Sequence, residues 1–254
     1  MSHPPVEDRA RGGGLTSDEE TDAAANPSRR SFLRNAALVV PVTVLGGCAT
    51  SQQAATQGPV YFSPGEESFI EAATQRLIPA DALGGGANEA GITHFIDLQL
   101  AGAYGRAERW YMRGPWPTGT DEQGFQLKYT PAEIYRKAIP GVDAHCQKIQ
   151  QKSFAQLDVS QQDEVLHALE DGKVDLGEIP SKTFFALLWQ NTQEGYLADP
   201  AYGGNRDFAG WKLVGFPGPR YNYVEEIGKF GQPYTQPFVS LIGRDPGARL
   251  KGAE

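Results

Sequence analysis

His145 and Cys146 are neighbours, and a thiol beside an imidazole is the raw material of a cysteine nucleophile. Adjacency argues against that use. Consecutive helical residues point about 100° apart, so the two side chains do not face one another. A packed thiol beside a polar-edge histidine fits better, and a disulfide from Cys146 to Cys48 or to a partner stays open. His94, His145 and His167 are scattered and form no His-x-x-x-His pair that would suggest a metal site. The chain carries no Gly-x-Gly-x-x-Gly fingerprint, so a Rossmann site for FAD or NAD is not expected. It carries no Cys-x-x-Cys-His, so covalent c-type haem is not expected either. Gly84-Gly85-Gly86 lacks the spacing and the Lys-Ser/Thr of a phosphate loop and reads as a turn. These readings leave the chain with no cofactor and no catalytic residue of its own.

The densest polar cluster is Asp199-Pro200-Ala201-Tyr202-Gly203-Gly204-Asn205-Arg206-Asp207. Asn and Asp cap turns, glycines permit unusual backbone angles, and Arg binds carboxylates with two parallel bonds. The cluster is either a hydrogen-bonded loop closing the preceding helix or a docking surface. Tyr202, Asn205, Arg206 and Asp207 are the docking candidates, with Trp189, Trp211 and Phe216 around them. Aromatics and Arg favour interfaces, but irregular cores use aromatics too.

The elements that position these residues are helical. Ser63-Pro64-Gly65-Glu66 is a capping box with Pro at the first helical position, and Phe69, Ala72, Ala73 and Leu77 follow at helical spacing. A second helix is expected over 92–101, ending at Gly102. Thr130-Pro131-Ala132-Glu133 repeats the start signal, with Ile134, Ala138, Val142, Cys146 and Ile149 on one face. Pro140-Gly141 predicts a kink there or two abutting helices. Asp158 or Ser160 starts the next helix, with Val165, Leu166 and Leu169 on its face and Gly172 at its end. Phe184, Phe185, Leu187, Leu188, Trp189, Thr192 and Tyr196 form a buried amphipathic helix. The expected architecture is mostly α: one irregular helical domain over 61–254 with long Gly/Pro-rich loops and an irregular C-terminal tail. Thirty glycines and 18 prolines among 254 residues agree with that irregularity. No internal repeat or heptad array is visible.

The first sixty residues carry a different kind of chemistry. Residues 1–27 have few apolar side chains and read as a disordered leader. Residues 28–47 run from Ser28-Arg29-Arg30-Ser31-Phe32-Leu33-Arg34 into a short apolar stretch ending at Leu45. About ten residues of helix rise roughly 15 Å, half a hydrocarbon core, so the stretch is an export signal rather than a permanent span. Arg29 and Arg30, with Phe32 and Leu33, resemble the twin-arginine signal, which implies export of a folded protein across the bacterial inner membrane. Leu45-Gly46-Gly47-Cys48 resembles a lipobox, which implies lipidation of Cys48; cleavage elsewhere in the small-residue stretch is the alternative. Residues 48–60 then form a tether. The formal net charge of -8 argues against a nucleic-acid partner.

Read in order, several blocks resemble the gluconate 2-dehydrogenase subunit 3 family. They are Ile78-Pro79-Ala80-Asp81, Phe95-Ile96-Asp97-Leu98-Gln99-Leu100, Asp143-Ala144-His145-Cys146 and Lys152-Ser153-Phe154-Ala155-Gln156-Leu157. Phe184-Phe185-Ala186-Leu187-Leu188 and Asn191-Thr192-Gln193-Glu194-Gly195 follow. The strongest is the cluster from Asp199 to Asp207, continued by Gly210-Trp211-Lys212 and Gly215-Phe216-Pro217-Gly218. The blocks cover most of residues 65–223. The resemblance implies a noncatalytic partner of a large GMC-type flavoprotein dehydrogenase that binds FAD and oxidises a sugar, polyol or aldonate. A cytochrome c subunit with haem c is often the electron acceptor in such complexes. It also implies that the small subunit assists maturation of the flavoprotein and carries it through the twin-arginine machinery. The complex would sit on the periplasmic face, held at the membrane by the lipid or by its other subunits. An independent membrane-tethered binding or assembly module is the rival reading.

Overall fold

The structure is a computed structural model and describes residues 58–244, apart from 118, 121, 122, 124, 125 and 242. Arg29, Arg30, Phe32, Leu33 and Cys48, and most of the tether, lie outside the described residues. Six α-helices, four short 3₁₀ turns and two hairpins of two-residue strands make up the regular structure of the described part. The protein is mostly α-helical.

Helix starts follow local capping chemistry. Helix α1 (Pro64–Leu77) begins where the Glu66 carboxylate accepts from the Ser63 backbone N–H and hydroxyl, both at 2.8 Å. Helix α2 (Ile92–Ala101) starts differently, from Gly91 in the left-handed region at φ 74° with no side-chain cap. Helix α3 (Pro131–Gln150) opens on reciprocal bonds between Thr130 and Glu133, and helix α4 (Val159–Glu170) on the same exchange between Asp158 and Gln161. A hairpin pairing β1 (Asp175–Leu176) with β2 (Ile179–Pro180) then leads into helix α5 (Ser181–Leu197). A short helix α6 (Ala209–Val214) follows the polar loop, and β3 (Val239–Ser240) pairs with β4 (Gly243–Arg244) near the end.

One expectation is narrowed and one corrected. Of the two alternatives at Pro140, abutting helices are excluded, because residues 131–150 form one helix through it. Pro140 removes one backbone donor, but it lies on the exposed side, where water can reach the released Arg136 carbonyl. The opposite face buries Ile134, Ala138, Ile139, Val142 and Cys146, which holds the helix together. Ile149, assigned to that face, is instead exposed.

Helix α5 packs against α1, α2, α3, α4 and α6. Phe184 on α5 meets Phe69 of α1 at 6.2 Å and Tyr135 of α3 at 5.5 Å, and Phe69 also lies 4.8 Å from Phe154. Fully burying each such ring contributes about 1.5–3 kcal/mol before entropy is counted, so these contacts dominate the core. The Tyr135 hydroxyl is buried with its ring and donates to Asn191 Oδ1 at 2.8 Å; Tyr104 joins the same amide. A second, smaller cluster brings Phe238 from the tail against Phe208 and Trp211. Its rings stack, with Phe208 and Phe238 centroids 5.1 Å apart at 14°.

Before α1, the chain is pinned by a buried carboxylate. Asp97 of α2 accepts from the backbone N–H groups of Val60, Tyr61 and Phe62 at 2.6–2.9 Å. Arg136 lies over the Tyr61 ring at 4.2 Å and bonds both Glu66 and the Tyr61 carbonyl.

Candidate functional site

An α-helix ends with four carbonyls that have no intrahelical donor. At the end of α5 the polar loop donates to two carbonyls, those of Leu197 and Ala198. Asn205 is fully buried; its Nδ2 donates to the Ala198 carbonyl at 2.8 Å, and its Oδ1 accepts from the Gly210 N–H at 2.9 Å. Trp211 Nε1 donates to the Leu197 carbonyl at 2.8 Å. Asp199 uses both carboxylate oxygens, one on the Ala201 N–H and one on the Leu241 N–H, each at 2.9 Å. Gly210 allows the close approach, since a Cβ there would stand 1.9 Å from the Tyr196 carbonyl oxygen.

Three non-glycine residues of this loop, Asn205, Asp207 and Phe208, have positive φ between 46° and 56°. Left-handed geometry costs on the order of 1–3 kcal/mol per residue and persists only where the surroundings enforce it. The Phe208 stack and the two Asn205 bonds provide that enforcement. Such clustering of strain marks segments whose shape is used.

The predicted docking residues divide by exposure. Asn205 and Trp211 are inside, holding the loop's shape. Tyr202 is 52% exposed, Phe216 40% and Trp189 37%, and Arg206 and Asp207 also face solvent. Tyr202, Arg206, Asp207 and Phe216 share the loop and its continuation. Trp189 sits eight residues before the end of α5, about 12 Å along its axis, so it does not join them. Sequence reasoning missed Leu197, Leu213 and Val214, which are also exposed around this loop. Leu213-Val214 directly after Trp211-Lys212 was the available signal. Of these, Leu197 borders one shallow hollow together with Tyr202 and Phe95.

Among the described groups, burial acts strongly on two tyrosines and one thiol. Burial raises Tyr104 to about 12 and Tyr135 well above its ordinary value, so both stay protonated near neutrality. Cys146 is a free, fully buried thiol; burial first, then the Asp143 charge, pushes it up to about 11. Its thiolate fraction at neutral pH is therefore negligible. No group of three His, Cys, Asp or Glu side chains that could hold a metal ion occurs among the described residues. No helix among them is long and apolar enough to cross a membrane.

The family model described as gluconate 2-dehydrogenase subunit 3 matches residues 64–218, from α1 through the loop to Gly218. That is more than half of the chain, and the protein belongs to this family. Neither a curated protein nor a solved structure matches it. The family implies association with a larger dehydrogenase complex.

Proposed function

We propose that this chain is the noncatalytic small subunit of an exported, membrane-associated flavoprotein dehydrogenase that oxidises a sugar, polyol or aldonate. The observation that carries the reading is the family match, which includes the whole of the braced loop. In this reading FAD belongs to the large GMC-type subunit, and haem c, where present, to a cytochrome partner. The small subunit contributes surface rather than chemistry. Tyr202, Phe216, Leu197 and Leu213 supply apolar contact area, with Arg206 and Asp207 at its edge. A stable pairing of this kind buries about 1,200–2,000 Å² in total, and a permanent one more. The exported address is the Arg29-Arg30 signal, and Cys48 is the lipid acceptor. A flavoprotein that folds around its cofactor before export needs a carrier that also travels folded, which the twin-arginine route permits.

Tagged chain purified from membranes is expected to bring down a yellow, flavin-containing partner. Deleting the chain should strand that partner in the cytoplasm. Recovery of the chain alone, together with normal partner export after deletion, refutes the proposal and leaves the independent membrane-tethered module. Changing Arg29 and Arg30 together to Lys should retain precursor inside the cell. Cys48→Ser should abolish lipid labelling.

A further inference from the structure

Between α2 and α3 the chain runs through Arg106-Ala107-Glu108-Arg109-Trp110-Tyr111-Met112-Arg113-Gly114-Pro115-Trp116. Three cations and one anion stand here among four large aromatic or apolar side chains, in a chain whose net charge is -8.

The root of the segment is held by close backbone contacts. The Gly105 N–H donates to the Gln99 carbonyl at 3.1 Å, that of Ala107 to Tyr104 at 2.9 Å and that of Trp110 to Ala107 at 3.0 Å. A Cβ on Gly105 would stand 1.8 Å from the Leu100 carbonyl oxygen, so glycine is needed for that approach. The Trp110 ring meets Tyr104 edge-on at 5.8 Å, and Tyr104 is bonded to Asn191 of the core helix α5. The segment is therefore built on the core, and the core sets which side chains it presents.

The presented side chains are of two kinds. Tyr111 is 81% exposed, and Trp110, Met112 and Trp116 are half-buried. Arg109 and Arg113 are exposed, and neither forms an ion pair with a described residue. Arg106 neutralises Glu108 at 2.8 Å. Asp121 and Glu122, further along the connection, lie outside the described residues. Trp and Tyr favour a membrane–water interface, where the ring lies at the acyl boundary and its polar edge stays wet, and Arg adds attraction to anionic headgroups. A protein partner would need more, since each side of a standard interface contributes roughly 20–30 residues. Contact with a lipid surface needs only a few side chains of these types.

The position agrees. Near the start of the described chain, the Tyr61 hydroxyl donates to the Ala132 carbonyl, and the Ala132 N–H donates to the Gly105 carbonyl at 3.1 Å. The root of the segment thus lies two hydrogen bonds from Tyr61, just after the tether.

We infer that Arg109 to Trp116 is a membrane-contact patch that lays the helical body against an anionic lipid surface. Arg109 and Arg113 bind the headgroups and Tyr111 sits at the interface. The charge and aromatic argument stands without the dehydrogenase reading; only the bearing of the tether rests on lipidation of Cys48.

Sedimentation of the full Cys48→Ser chain with vesicles at low salt tests it without the lipid. The chain should bind phosphatidylglycerol mixed with phosphatidylcholine more tightly than phosphatidylcholine alone, and added salt should release it. Changing Arg109 and Arg113 together to Gln should weaken that binding by about fivefold for each charge removed, with an unchanged circular dichroism spectrum. Tyr111→Ala should weaken it as well. The Arg29-Arg30 stretch is common to parent and variants, so these differences report the segment. Hydrogen exchange on the vesicle should slow at residues 106–113 and not in the β1–β2 hairpin. Equal binding by the double variant, or exchange at 106–113 that vesicles leave unchanged, overturns the inference even where Cys48 proves to be lipidated. Slowed exchange there with a detergent-solubilised membrane protein but not with vesicles also overturns it, and assigns the segment to a protein partner.

Discussion

The Trp211 indole donates to the Leu197 carbonyl at 2.8 Å, so a side chain fourteen residues downstream terminates α5. The bond joins the core helix to the loop that carries Tyr202 and Arg206. Trp211→Phe keeps most of the buried ring and leaves that carbonyl without its donor. We expect a loss of about 1–3 kcal/mol, against about 3–5 for Trp211→Ala, measured by urea unfolding. Equal stability of the Phe variant and the parent would show that the bond contributes nothing.

The Asp97 carboxylate is the acceptor for three consecutive backbone donors, those of Val60, Tyr61 and Phe62. Asp97→Ala orphans all three, while Asp97→Asn keeps an acceptor oxygen. Limited proteolysis should therefore cut near Pro59 much faster in the Ala variant than in the parent, with Asn between them. Identical cleavage rates would exclude the pinning role.

Cys146 should resist alkylation in the folded protein, because burial holds the thiol near 11 and excludes reagent. In a Cys48→Ser background at pH 7.5, iodoacetamide is expected to label it only after denaturant is added. Rapid labelling of the native protein would contradict its placement on the inner face of α3.

Acid stability should depend in part on the pair of Arg76 and Asp163, joined at 2.7 Å. The Arg76 hydrogen bond holds the Asp163 carboxyl below its ordinary value. A depressed carboxylate stabilises the fold above its unfolded pKa, about 3.9, and that stabilisation is lost as pH falls through the folded value. The Asp163 side chain is 40% exposed, so the pair contributes only about 0.2–1 kcal/mol. Asp163→Asn should lower stability by that amount at pH 7 and converge with the parent once the pH lies below the folded value of Asp163. A gap that persists at low pH would rule out this linkage.

Local chemistry was the legible part of the sequence. Ser63, Thr130 and Asp158 mark helix starts because a cap is decided by residues three apart. The face from Phe184 to Tyr196 shows in its spacing for the same reason. The β1–β2 hairpin was not foreseen, since two-residue strands carry no alternation to read. Phe238 gave no sign of returning to Phe208, because contacts across thirty residues leave no periodic trace. Asn205 and Arg206 looked alike as docking residues, and only the fold separates them. One has its amide turned inward to close α5; the other sets its guanidinium beside Gly91.

The left-handed run at Asn205, Asp207 and Phe208 is tolerable only once α5 is complete and Phe238 has come home. The outward face formed by Tyr202 and its neighbours therefore cannot exist on a half-finished chain. Under the proposed function, a partner matched to that face would therefore engage only a chain whose last helix and tail have already packed.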